Sequence, residues 1–227
     1  MNDAIYSEEY KGHKIEIFSD LYSESPEDWG DTGAFLVCEH REMTVKRDGF
    51  DVDTIFMALH GAKNEDGEID EQAEAIAKDY YIFPIEAYIH GGIVLHFENG
   101  ATVDRRWDVS GWFGFILVRN DEAKNEKEAK NVASGILEIW NDCLSGNVYG
   151  YVIDGDGDSC WGFYGDYEEN ALKEAREVVD AISPEEFEKV KTRKKLDALK
   201  LWEMSLTDKE REKVKRSIVS IEKTLEK

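Results

Sequence analysis

The run Asp154-Gly155-Asp156-Gly157-Asp158 is the part of the sequence best suited to hold a cation. Alternating carboxylates resemble the start of an EF-hand calcium loop, which needs a glycine at its sixth position and a glutamate at its twelfth. Counted from Asp154, those positions hold Ser159 and Gly165. The pattern therefore favours a hairpin turn, in which glycine takes a positive φ and aspartate caps locally, and we expect no metal there.

Histidine and cysteine side chains offer a second kind of chemistry, metal ligation or nucleophilic catalysis. His90 and His96 flank a glycine turn, and His60 or Cys160 could approach them. No pair has the spacing of a zinc site, and nothing in the sequence orients a Cys–His pair. An odd number of widely spaced cysteines argues against a disulfide framework. We expect reduced core thiols at Cys38, Cys143 and Cys160.

Aromatic residues are dense in the glycine-rich segments of the second half of the chain. Such rings can stack on single-stranded nucleic acid, but stacking platforms of that kind lie in a positively charged groove. None of the glycines follows a strand and opens a helix as a phosphate-binding loop does. We expect truncation of Trp107, Trp161 or Phe163 to alanine to cost about 3–5 kcal/mol, and we expect all the aromatic residues of these segments to pack within a sheet. The residues are Trp107, Trp112, Phe113, Phe115, Trp161, Phe163 and Tyr164.

The elements that must position these residues can be predicted from hydrophobic periodicity. Strands are predicted over 13–19, 33–40, 80–90, 93–98, 112–118, 148–154 and 159–165. Helices are predicted over 53–60, 71–80, 122–144 and 169–182. The segment 112–118 is the most apolar and should be a central strand, whereas Pro84 places its strand at an edge or a bulge. Turns at Gly91-Gly92 and Gly155-Asp156-Gly157 predict two hairpins.

Two further helices are predicted at the end of the chain. Ser183-Pro184-Glu185-Glu186 combines a cap, a first-turn proline and a carboxylate, and Thr207 opens a second capping box. The last helix carries an apolar stripe, namely Val214, Ile218, Ile221 and Leu225. We expect an acidic α+β body over 1–183 and a two-helix element over 184–227. The fold class is α+β: a mainly antiparallel sheet of five to seven strands, helices packed on one face, and a C-terminal helical hairpin.

Charge is divided unevenly along the chain. The net charge of the 227 residues is −22, yet residues 185–227 carry 13 Lys and Arg against 10 Asp and Glu. Residues 1–184 therefore hold 15 basic and 40 acidic side chains, a net charge of −25. Such a body repels nucleic acid and anionic membranes over long range and attracts basic surfaces. No apolar run approaches the roughly 20 residues that span a bilayer, so we expect a protein of the cytoplasm.

Three segments together resemble a family of small phage and mobile-element proteins. They are YIHGG (88–92), RRWDVSGWFGFILV (105–118) and GNVYGYVIDGDGDSCWGFYGD (146–166), the last ending in the specific Ser159–Gly165 motif. Gly91 and Val109-Ser110-Gly111 depart from the usual pattern. The resemblance covers about residues 80–180. It implies the interior of an infected bacterial cell, or of a cell carrying a mobile element, and no catalytic residue.

These observations lead to one functional hypothesis: a non-enzymatic phage or mobile-element protein that binds and inhibits a host nucleic-acid-binding defence protein, of restriction or CRISPR type, by acidic DNA or RNA mimicry. The expected partner is a basic host protein, in the host cytoplasm, with no cofactor, no metal, no direct nucleic acid and no membrane. The alternatives are an assembly protein that oligomerises through residues 184–227, and an unrecognised small metal-dependent enzyme. The candidate partner-binding residues are Glu65, Asp66, Glu68, Asp70, Glu71, Glu74, Asp154, Asp156, Asp158, Asp166, Glu168 and Glu169.

Overall fold

The computed structural model describes residues 3–30, 32–63, 66–100, 112–155, 158–204 and 208–225. The chain forms two compact units, residues 1–173 and residues 174–227. The expected division into a body over 1–183 and a two-helix element over 184–227 is a statement about which part folds on its own, and it stays a prediction. No helix within the described ranges has the length and apolar content needed to cross a bilayer.

The described residues confirm the α+β class. The strands are β1 (Tyr6–Tyr10), β2 (His13–Ser19), β3 (Ala34–His40), β4 (Met43–Val45), β5 (Tyr80–Ile89), β6 (Ile93–Phe97), β7 (Gly114–Arg119), β8 (Val148–Ile153) and β9 (Asp158–Tyr164). The helices are α1 (Val52–Leu59), α2 (Glu71–Asp79), α3 (Glu126–Ser145), α4 (Lys173–Ala181), α5 (Pro184–Met204) and α6 (Asp208–Leu225), with a π-helical turn at Glu168–Leu172.

The strands divide between two antiparallel sheets, where a single sheet was expected. One sheet has the order β1-β2-β8-β9 and the other has the order β4-β3-β7-β5-β6. The division follows from the pairing of β2 with β8, which joins Ile15 to Ile153 across most of the chain. Local periodicity predicts each strand but carries no information on so distant a partner.

The five-stranded sheet is covered by helices on both faces, where helices on one face were expected. Its central strand, β7, is buried along almost its whole length, as the continuous apolar run predicts for a strand with two covered faces. Ile116 and Val118 pack with α3 on one side. Phe115 and Leu117 pack with α1 and α2 on the other. The expectation that Pro84 places its strand at an edge or a bulge is wrong, because β5 lies between β7 and β6. Pro84 pairs with Phe115 of β7 and lies just before the β5–β6 pairing begins at Ile85.

Polar side chains set the ends of the helices in the first unit. The Asp51 carboxylate accepts from the Thr54 backbone N–H at 2.9 Å and opens α1. The Asn125 side chain caps α3, which therefore begins at Glu126 rather than near residue 122. Gly146 ends α3 in the left-handed conformation, with φ 71°.

The four-stranded sheet has one well-buried face. Ile15, Ile17, Tyr151 and Ile153 are each at most 3% exposed on it. The π-helical turn Glu168–Leu172 packs on this sheet. The opposite face is more open, and it is the face on which the candidate site is built.

The second unit contains the expected helical hairpin. Leu196 on α5 packs with Val214 and Ile218 on α6. A Lys200–Glu222 ion pair at 2.8 Å also joins the two helices. The predicted apolar stripe of the last helix is thus used within the hairpin.

Candidate functional site

The first group of predicted acidic residues lies around the start of α2. Asp66, Glu68, Glu71 and Glu74 are exposed, and Glu65 lies outside the described residues. Asp70 differs from them, because its carboxylate accepts from the Ala73 backbone N–H at 2.8 Å and caps α2. Its negative charge is committed to the helix end, so it has a structural role as well.

The second group lies at the β8–β9 hairpin and is less available than its sequence indicates. The Asp154 side chain is only 14% exposed. Its carboxylate contacts His13 Nδ1 at 2.7 Å and accepts from the Lys14 backbone N–H at 3.0 Å. Asp158 is exposed, and Asp156 lies outside the described residues. Asp154 therefore links the hairpin to β2 through these two contacts, whereas Asp158 is a surface carboxylate.

The third group, Asp166, Glu168 and Glu169, is exposed at the other end of β9. Asp166 Oδ1 accepts from the Glu168 backbone N–H at 2.7 Å. The seven residues of β9 span about 20 Å, so the second and third groups are separated by that length. The first group, which we call the α2 group, lies around the helix that packs on the five-stranded sheet. The structure thus distributes the predicted carboxylates over several places.

The open face of the four-stranded sheet carries a β-bulge that sequence reasoning missed. Between two paired positions, β8 has one residue, Gly150, and β9 has two, Trp161 and Gly162. Gly162 takes the extra position with φ +84°, which an L side chain rarely adopts. Bulges of this kind redirect a side chain and are frequent near binding sites.

Trp161 is the side chain that this bulge redirects. Its indole lies directly over Gly150, so closely that a Cβ on that glycine would clash with the ring. The Phe18 ring lies 6.1 Å away, and the indole remains 48% exposed. Trp161 therefore packs on the sheet, but half of its side chain is exposed, so it is not a core residue. Trp112 is also half exposed, Phe113 and Phe115 are buried, and Trp107 lies outside the described residues.

Trp161 forms one wall of a groove of about 380 Å³. Trp29 and Tyr164 meet edge to face at 5.4 Å on another side. The Tyr164 hydroxyl donates to the Glu24 carbonyl oxygen at 2.7 Å, and burial raises the pKa of Tyr164, which keeps this donor protonated. We call this site the aromatic groove; its lining residues are Asp20, Tyr22, Ser23, Glu24, Trp29, Trp161, Gly162 and Tyr164.

The electrostatics of the aromatic groove follow from the two segments that build it. Residues 15–40 contain seven Asp and Glu, residues 131–172 contain eight, and neither segment has a lysine or an arginine. Asp20 and Glu24 are among the residues that line the groove, and the negative charges of both also raise the pKa of Tyr164. The site thus combines exposed aromatic rings with carboxylates, an arrangement suited to a cation. The absence of lysine and arginine from each segment can be read from the sequence, but the contact between the two segments cannot.

The histidines and cysteines that the sequence suggested as reactive groups are not among the residues that line the aromatic groove. His60 contacts the rings of Phe56 and Trp112, and His90 stacks with Tyr88. Within the part of the chain that the structure describes, no group of three or more His, Cys, Asp or Glu could hold a metal ion. All three cysteines are free, which agrees with the expected reduced thiols, but only Cys38 is buried.

Burial raises the pKa of Cys38 to about 11. Burial also raises the pKa of Cys143, whereas Cys160 is exposed on β9. The core thiol therefore stays protonated and unreactive near neutral pH.

Comparison with protein-family models, with curated proteins and with solved structures finds no match to this chain. The likeness to phage and mobile-element proteins stays a resemblance of motifs. Function has to be judged from the geometry and charge of the molecule itself.

Proposed function

We propose that this protein is a non-enzymatic phage or mobile-element protein that binds a basic, nucleic-acid-binding host protein and inhibits it. A restriction or CRISPR enzyme is the expected target, and the acidic body occupies the surface on which DNA or RNA would lie. The observation that carries the proposal is the charge of residues 1–184, where 40 acidic side chains face 15 basic ones.

A comparison with DNA indicates how such inhibition would work. Duplex DNA carries one charge per ~1.7 Å of axis, or on the order of one per 100 Å² of its surface. This chain has a net charge of −22 on 14774 Å², roughly one per 670 Å². Its mean charge density is therefore several times below that of DNA. Discrete acidic groups that cover parts of a basic surface fit this value better than an imitation of a whole duplex.

The α2 group is suited to a test of this proposal because its exposed members can be changed without removing the helix cap. Glu68, Glu71 and Glu74 are exposed, whereas Asp70 caps α2 and should be kept. The triple Glu→Lys variant should weaken partner binding, chiefly through the association rate, and the loss should shrink as salt rises. The triple Glu→Gln variant is the matched control and should give a smaller loss in the same direction.

The partner is to be captured from host lysate at low and at high salt and identified by mass spectrometry. The proposal requires a captured protein that binds nucleic acid, is released by salt, and cannot hold this protein and its DNA or RNA together. A ternary complex with the nucleic acid still in its groove would contradict the inhibition by competition.

A second function, self-assembly, is favoured by one observation on α5. Leu201 and Met204 are 76% and 80% exposed at the end of this helix. Exposed apolar side chains that lie close together often mark an interface. Light scattering of the intact chain and of a Leu201→Lys, Met204→Lys variant tests this: a dimer that becomes a monomer would support assembly through residues 184–227.

A further inference from the structure

The aromatic groove contains large aromatic side chains that are exposed to solvent instead of buried in the core. Trp161 is 48% and Tyr22 is 95% accessible, and Trp29 lies beside them on the groove wall. Exposed large aromatic side chains that gather in one concave place are typical of binding sites rather than of an ordinary surface. The bulge at Gly162 and the missing Cβ at Gly150 hold the Trp161 indole in this position.

Charge selects the class of occupant. Asp20 and Glu24 line the groove, and none of its lining residues is a lysine or an arginine. The Arg47 guanidinium lies behind the Trp29 wall, where it donates to the Trp29 and Gly30 carbonyl oxygens at 3.3 and 3.1 Å. An anionic or purely apolar ligand would gain little from these carboxylates, whereas a cation interacts with both the rings and the acids. The volume of about 380 Å³ is at the small end of the range for ligand sites, which suits one side chain of a protein partner.

Among cations, arginine fits the walls best. Its guanidinium group is planar, stacks on aromatic faces and is less strongly hydrated than the ammonium group of lysine. We propose that the aromatic groove receives an arginine side chain from the basic surface of the partner protein, stacked on Trp161 and facing Asp20 and Glu24. This inference rests on the proposed function, since it names the contact by which the acidic body recognises a basic protein.

The test uses the full chain and small probes of defined charge. N-acetyl-arginine methylamide is titrated while the tryptophan indole N–H signals are followed by NMR, with the lysine and citrulline analogues as matched probes. We expect a saturable shift of the Trp161 signal with the arginine probe, a severalfold weaker response to lysine and none to citrulline. An equal response to citrulline, which keeps the shape and lacks the charge, would overturn the proposal.

Variants locate the effect. With the indole N–H signal of Trp29, which lines the same groove, as the reporter, Trp161→Leu should abolish the response. Asp20→Asn with Glu24→Gln should weaken binding about threefold, as expected for exposed charge contacts. Trp202→Leu changes a tryptophan that is 55% exposed in the second unit and should leave the response intact. If Trp161→Leu fails to fold, Trp161→Phe keeps a ring and the pair of acid variants still decides. A Trp29 shift with unchanged affinity for the arginine probe in the Asp20→Asn, Glu24→Gln variant would refute the site.

The same variants separate this inference from the proposed function. A salt-sensitive, nucleic-acid-binding partner that binds Trp161→Leu as well as the natural chain would refute the arginine contact alone. Arginine binding at Trp161 without any such partner would refute the proposed function alone.

Discussion

Replacing Gly150 by alanine is expected to displace the Trp161 indole from the wall of the aromatic groove. A Cβ at residue 150 would lie well inside 3.0 Å of the indole ring, a separation that real Cβ atoms essentially never show, and 2.9 Å from the Cys160 carbonyl oxygen. The ring must move by about 1 Å to restore ordinary van der Waals contact. Because Trp161 is half exposed and β9 is an edge strand, both can yield.

The expected loss in free energy of unfolding depends on which atoms move to accommodate the new Cβ. Forcing an extra methyl group against a packed ring costs about 1–3 kcal/mol in free energy of unfolding. Trp161→Ala should itself cost about 1–2 kcal/mol, roughly half the value for a fully buried tryptophan, because half of the ring is exposed. In a chain that carries Trp161→Ala, the two ring contacts are gone and the 2.9 Å approach to the Cys160 carbonyl oxygen remains, so Gly150→Ala should cost less there than in the natural chain.

Urea unfolding of the four members of this double-mutant cycle measures the coupling. Because the chain has six tryptophans, the exposure of Trp161 is taken from the difference in acrylamide quenching between chains with and without the Trp161 ring. A matched comparison is Gly114→Ala in the central strand β7, where the Cβ would clash with the Val37 carbonyl oxygen and the Cys38 Cβ. Neither of those atoms can rotate away, so the loss should be larger, about 3 kcal/mol or more. An equal cost of Gly150→Ala with and without the Trp161 ring would show that the indole does not rest on this glycine.

Three further outcomes are expected. Asp51→Ala should cost about 1 kcal/mol at neutral pH; because the hydrogen bond from Thr54 lowers the pKa of Asp51 in the folded state, this contribution is present above about pH 4 and is lost as the pH falls through the folded-state pKa, as urea unfolding at several pH values can check. With DTNB, Cys160 should react within the mixing time and Cys38 only on unfolding, and Cys160→Ser should remove the fast phase; a fast Cys38 would contradict its burial. Deletion of residues 184–227 should leave a body that unfolds cooperatively by near-UV circular dichroism, and loss of that transition would place these residues in its core.

Much of the local structure can be predicted from the sequence because the periods of strands and helices are local properties. The alternation in His13–Ser19 and the unbroken apolar run in Gly114–Arg119 predict a half-buried and a doubly covered strand, and the structure has both. The helix α3 and the hairpin of β8 and β9 are predicted correctly for the same reason. Two strands were missed: β1, whose sequence YSEEY is mostly polar, and β4, which has only three residues.

The division into two sheets could not be predicted in this way. It depends on β2 pairing with β8 rather than with β3, and such a pairing is decided by the packing of the whole unit. The helices on both faces of the five-stranded sheet are a consequence of the same packing, since the apolar strands β3 and β7 present hydrophobic side chains on both sides.

The sequence by itself determined the sign of the charge and the kind of partner that it favours, because net charge acts over long range whatever the fold. Only the tertiary structure decided which carboxylates face outward. The Asp154 carboxylate contacts His13 and the Asp70 carboxylate caps α2, because buried polar groups and helix ends need hydrogen-bond partners. The tertiary structure also built the aromatic groove from a loop near residue 20 and a strand near residue 161, two segments that come together only because β2 and β8 are neighbours.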